Sequence, residues 1–80
     1  MLKIKDSVNL EILRTKHGCT YLPKLKKYAF YVKDKFGICP CACLFIEEET
    51  RCIRIFNQRA IDFVNNLIVK GLVEEVEDND

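Results

Sequence analysis

The chain has 80 residues, of which 49% are hydrophobic and 31% charged, with a formal net charge of +1. Such a length makes one small domain, such a composition argues against disorder, and the charge lacks the strong basic excess of a nucleic-acid-binding domain. No apolar run approaches the roughly 20 residues of a membrane span, and the first nine residues lack the apolar segment of a signal peptide, so the expected location is cytoplasmic.

In chain order, Met1–Lys5 alternates Leu2 and Ile4 with Lys3 and Lys5, as an edge strand or an extended entry segment does. Asp6 or Ser7 is the expected N-cap of a first helix that carries Val8, Leu10, Ile12 and Leu13. Glu11 stands near its start and Arg14 and Lys16 near its end, the polarity a helix dipole favours. Gly18 is its expected stop. Cys19–Leu25 reads as a loop or an irregular strand start, because Pro23 cannot sit inside a helix. Lys26–Lys33 reads as a strand, with Tyr28, Phe30 and Val32 on one face and Ala29, Tyr31 and Lys33 on the other. Asp34–Gly37 reads as a turn.

Ile38–Ile46 and Arg51–Phe56 read as the arms of a hairpin around a turn at Glu47–Thr50. A period of two places Ile38, Pro40, Ala42, Leu44 and Ile46, with Ile53 and Ile55, toward the core. It places Cys39, Cys41, Cys43 and Phe45, with Cys52, Arg54 and Phe56, on the other face. Pro40 has no amide to donate, which implies an edge position or a bulge there. Asn57 is the expected cap of a second helix, whose apolar stripe is Ala60, Ile61, Val64, Leu67 and Ile68, widened by Phe63 and ended by Gly71. Leu72–Val76 is a short final strand or extended segment, and Glu77–Asp80 an acidic, frayed tail.

The expected fold class is therefore α+β: helix, three-stranded antiparallel meander, helix and short C-terminal strand, in two layers with both helices on one sheet face. The other face is left to solvent or to a partner. Its Cys39, Cys41, Cys43, Cys52, Arg54 and Phe56 are the expected partner-binding residues, and a homodimer through this face or a sheet edge is a further option. Charge is unevenly spread: residues 1–35 hold nine basic and three acidic side chains, residues 36–80 four basic and nine acidic. Such asymmetry marks either a basic binding surface with an acidic tail or two halves that complement each other across the fold.

Five cysteines without an export signal leave two readings, buried thiols or a metal site. The metal alternative is a zinc-stabilised domain using Cys39, Cys41, Cys43 and Cys52, with His17 and Cys19 arriving from the loop after the first helix. Its weakness is spacing. Cys-x-Cys-x-Cys on a flat strand cannot chelate one ion without a bend, which Pro40 would have to supply. His17 with Cys19 or Cys52 would be the components of a nucleophilic dyad, but nothing in the sequence orients them, and the expected protein is not an enzyme. Gly18, Gly37 and Gly71 stand singly, so no phosphate-binding loop is present. A second alternative is single-stranded nucleic-acid binding through Lys24, Lys26, Lys27, Tyr28 and Tyr31, cations mixed with aromatics. The competing reading packs the tyrosines and leaves the lysines to protect an edge strand.

Three phrases, IKDSVNL at Ile4–Leu10, IRIFN at Ile53–Asn57 and GLVEEVE at Gly71–Glu77, resemble small accessory proteins encoded in phages and prophages of low-GC Gram-positive bacteria. The resemblance covers most of the chain, carries no active site and does not include the cysteine cluster. It implies a small phage protein that binds and blocks a bacterial host protein, such as a CRISPR effector or another part of the defence machinery, in the host cytoplasm.

Overall fold

The computed structural model describes residues 1–76. Among these residues eight short strands and two α-helices follow one another: β1 (Leu2–Ile4), α1 (Glu11–Thr15), β2 (Thr20–Leu22), β3 (Lys27–Phe30), β4 (Lys33–Asp34), β5 (Gly37–Ile38), β6 (Leu44–Glu47), β7 (Ile53–Ile55), α2 (Ile61–Val69) and β8 (Val73–Glu75). A 3-10 turn at Gln58–Ala60 leads into α2. The α+β class is as expected, but the main sheet has four antiparallel strands in the order β2-β3-β6-β7, not three.

The fourth strand is β2, from the segment that Pro23 makes hard to read. Pro23 lies in the turn outside the ladder, where its missing amide costs nothing. Leu22 faces Lys27 across that turn, and Lys26 closes it in the left-handed region at φ 53°. The termini form a second antiparallel pair, with Leu2 opposite Glu75 and Ile4 opposite Val73. This pair abuts the main sheet through a bridge between Lys3 and Cys52, and the Ile4 amide donates to the Arg51 carbonyl at 2.9 Å.

The first helix is shorter than expected. The Asn9 side chain accepts from the Glu11 amide at 3.0 Å, so Asn9 supplies the capping oxygen rather than Asp6 or Ser7. The residues before it form a turn, with the Val8 amide donating to Lys5, and the Arg51 guanidinium donates to the carbonyls of Lys5 and Val8. The second helix begins as expected: Asn57 Oδ1 accepts from the Arg59 amide at 3.0 Å. Ala60, Val64 and Leu67 are buried, while Ile61 and Ile68, at the margins of the stripe, are exposed.

One cluster makes the core. Leu10 and Leu13 of the first helical segment and Ala60, Val64 and Leu67 of the second meet Tyr28, Leu44, Ile46 and Ile53 from the sheet and Ile4 and Val73 from the terminal pair. Phe63 stacks on Phe30 with ring centroids 3.9 Å apart and planes 14° apart. The helices thus pack their buried residues against the same sheet face, the one set by Tyr28, Leu44 and Ile46.

The stretch expected as one strand, Ile38–Ile46, is broken. Lys33 pairs with Ile38 in the small β4–β5 hairpin, whereas Phe30 pairs with Leu44 in the main sheet, and neither pairing runs on into the other. Residues 39–43 between these pairings bulge out around Pro40. The period-two argument fails across that bulge. Cys43 turns inward and is fully buried, and Ile38, expected in the core, is 65% exposed. The acidic tail expected at Glu77–Asp80 lies outside the described residues.

Candidate functional site

The outer sheet face, opposite the helices, is built by register. Leu22 faces Lys27, Lys27 faces Glu47, Ala29 faces Phe45, and Phe45 faces Arg54. Phe56, just past β7, is 57% exposed and sets its ring edge-on to Phe45, with centroids 5.3 Å apart and planes at 78°. Lys27 Nζ stands 5.3 Å from the centre of the Phe45 ring and 4.0 Å from Glu47 Oε1. Ala29 is buried yet outside the core cluster, as expected of a small residue beneath an aromatic neighbour on the outer side. The result is two aromatic rings flanked by Lys27 and the exposed guanidinium of Arg54.

Of the expected partner-binding residues, Cys52, Arg54 and Phe56 stand at the alternating positions predicted for them, Cys52 half-buried and the other two exposed. Cys39 and Cys41 belong to the bulge, half-buried and exposed respectively. Cys43 is a correction: it is sealed in the core and presents no surface to a partner. Burial pushes its thiol above the usual range, the Val32 backbone lowers it in part, and the neighbouring Cys39 and Cys41 raise it further. Phe45 is legible on this face from the same alternation, yet its central place follows only from the four-stranded register.

The cysteines needed for a zinc site do not gather. Among the described residues no group of three or more His, Cys, Asp and Glu side chains is placed to hold a metal ion. Cys52 lies across the sheet beside β7, and Cys43 faces the core. In the His17–Cys19 pair, burial pushes the Cys19 thiol up to about 12, which keeps it protonated near neutral pH. His17 packs edge-on to Phe63 at 6.3 Å, and its pKa is lowered by burial and then by Lys70 and Lys16.

Of the five residues of the nucleic-acid alternative, Tyr28 is buried in the core. Lys24 and Lys26 are exposed on the β2–β3 turn, but Lys27 faces Glu47 on the outer side. Tyr28 is 5% exposed and packs in the core, its ring 4.9 Å from that of Tyr21. Tyr31, half-buried, lies beyond the end of β3. The buried Tyr28 ring is closed to a stacking base.

No protein-family model, no curated protein and no solved structure matches the chain. No helix among the described residues is long and apolar enough to cross a membrane.

A second exposed element is the β4–β5 hairpin. Gly37 takes φ 114°, a conformation that side chains rarely adopt, and the preceding Phe36 is 87% exposed with Lys35 Nζ 5.1 Å from its ring centre. The sequence holds a signal for this exposure: a phenylalanine inside a turn has no strand or helix face through which to reach the core.

Proposed function

We propose that this chain is a small non-enzymatic protein-binding module that docks a bacterial host protein on its outer sheet face. The observation that carries the reading is the Phe45–Phe56 pair beside exposed Arg54 on the side away from both helices. Aromatic side chains and arginine are the types that dominate binding energy in protein interfaces. A half-buried phenylalanine that supports an exposed one offers a contact already ordered before binding, which lowers the entropy lost on association. The resemblance to phage accessory proteins supplies the class of partner: a host defence protein, CRISPR effectors included, met in the bacterial cytoplasm.

The test is capture from a lysate of a low-GC Gram-positive host, comparing the native chain with Phe56→Ala and with Arg54→Glu. A host protein retained by the native chain and lost with both variants supports the reading. Retention unchanged by both variants, or no retained protein, overturns it.

A further inference from the structure

We propose that Cys39 and Cys43 are an oxidisable dithiol that a hydroperoxide converts into a disulfide across the bulge. On a regular strand, residues four apart stand about 13 Å from each other. Here the Cys43 amide donates to the Phe30 carbonyl and the Cys39 amide to the Val32 carbonyl, each at 2.9 Å. Those two acceptors are two residues apart, at most about 7 Å even on fully extended chain, and they draw their donors toward a comparable span. Native disulfides join Cα atoms roughly 4.4–6.8 Å apart, so the pinched segment lies close to bridging distance. Pro40, Cys41 and Ala42 loop out between the two ends.

The side chains agree with the chain path. The Cys43 Sγ lies 3.8 Å from the Cys41 carbonyl oxygen, inside the looped segment that Cys39 opens. Cys39 is half-buried and within reach of a small oxidant, whereas Cys43 is buried behind it. Cys41 is exposed, but a ring closed with either neighbour would be Cys-x-Cys, tighter and more strained than the Cys39–Cys43 ring.

The chemistry balances with a hydroperoxide as oxidant. Cys39 sulfur attacks the terminal oxygen; an S–O bond forms, the O–O bond breaks, and the alkoxide leaves as the alcohol with the Cys39 proton. Cys43 sulfur then attacks Cys39 sulfur; an S–S bond forms, the S–O bond breaks, and hydroxide leaves as water with the Cys43 proton. Two thiols give up two protons and two electrons, and the hydroperoxide becomes an alcohol and water. A dithiol reductant reverses the bond by exchange. In the oxidised form the bulge is clamped, tying the β4–β5 hairpin more firmly to β6.

The test treats the full chain with hydrogen peroxide, quenches in acid, alkylates free thiols in denaturant without reduction and reads the tryptic peptide Phe36–Arg51 by mass spectrometry. That peptide holds Cys39, Cys41 and Cys43. The expected product has lost about 2 Da relative to the reduced peptide, carries its single alkyl group on Cys41 and reverts with dithiothreitol. Cys41→Ser keeps the disulfide and Cys39→Ser abolishes it; neither change removes a fully buried side chain. Three alkylated thiols after peroxide, a disulfide that includes Cys41, a sulfinic acid in place of the bond, or the same loss in Cys39→Ser overturns the proposal.

Discussion

Replacing Arg51 with alanine tests the joint between the β6–β7 turn and the N-terminal segment. The Arg51 guanidinium donates to the carbonyls of Lys5 and Val8, more than 40 residues away in sequence, while its backbone sits in the left-handed region at φ 64°. Hydrogen bonds to a charged group contribute about 1.5–3 kcal/mol each, toward the lower end where water competes. Arg51 is half-buried, so losing both should cost about 3 kcal/mol in total. At about 4–8 °C per kcal/mol for a domain of this size, Tm should fall by roughly 12–24 °C. Glycine separates the guanidinium from the backbone. It loses the same bonds but adopts positive φ without the Cβ penalty, so Arg51→Gly should recover about 0.5–1 kcal/mol over Arg51→Ala after its greater unfolded-state freedom is counted. Urea unfolding of the three proteins measures the order Arg, Gly, Ala. An alanine variant within about 0.5 kcal/mol of the native chain, or a glycine variant less stable than the alanine one, refutes the reasoning.

Two further outcomes follow from the core. Cys19 should impose an alkaline limit: its unfolded thiol ionises near 9.0, whereas burial holds the folded one at about 12, so its contribution is complete below pH 9 and is lost as pH rises toward 12. Stability should therefore fall by up to about 1.4 kcal/mol per pH unit in that window, and Cys19→Ala should flatten this part of the profile in denaturant titrations. Phe63→Leu should cost about 1 kcal/mol through loss of the stack on Phe30, whereas Phe63→Ala should cost about 2–3 kcal/mol because burial is lost as well. A Phe63→Leu midpoint equal to that of the native chain would remove the stacking contribution, and equal midpoints for the two variants would remove the burial one.

Much of the architecture is readable where a residue type acts locally. Asn57 announces the cap of the second helix, the Glu47–Thr50 run its turn, and Gly18 and Gly71 the stops that positive φ requires at 76° and 72°. Reading fails where one part of the chain changes the rules for another. Period two holds from Leu44 to Glu47 and from Cys52 to Arg54; Ile55, expected in the core, is exposed at the end of β7, and the alternation fails through Pro40, where two different pairings compete for one stretch and leave a bulge between them. That bulge reverses Cys43, and with it the expected cysteine face. Thr20–Leu22 escapes a strand assignment because three residues carry little periodicity, and their strand identity comes from pairing with Lys27–Ala29. Of the candidate site, Arg54 and Phe56 come from alternation alone. The hydrogen bonds of Cys39 to Val32 and of Cys43 to Phe30 come only from the folded pairing.

The pairing of β1 with β8 also dictates an order of assembly. The Lys5 amide bonds to the Leu72 carbonyl and the Val76 amide to the Met1 carbonyl, so the opening strand is completed by residues made some seventy positions later. During synthesis Leu2 and Ile4 must wait for that late segment to leave the ribosome, with the bridge to Cys52 as their earlier foothold. A nascent chain stalled before Val73 would hold an unfinished seam, the interval in which a chaperone has most to cover.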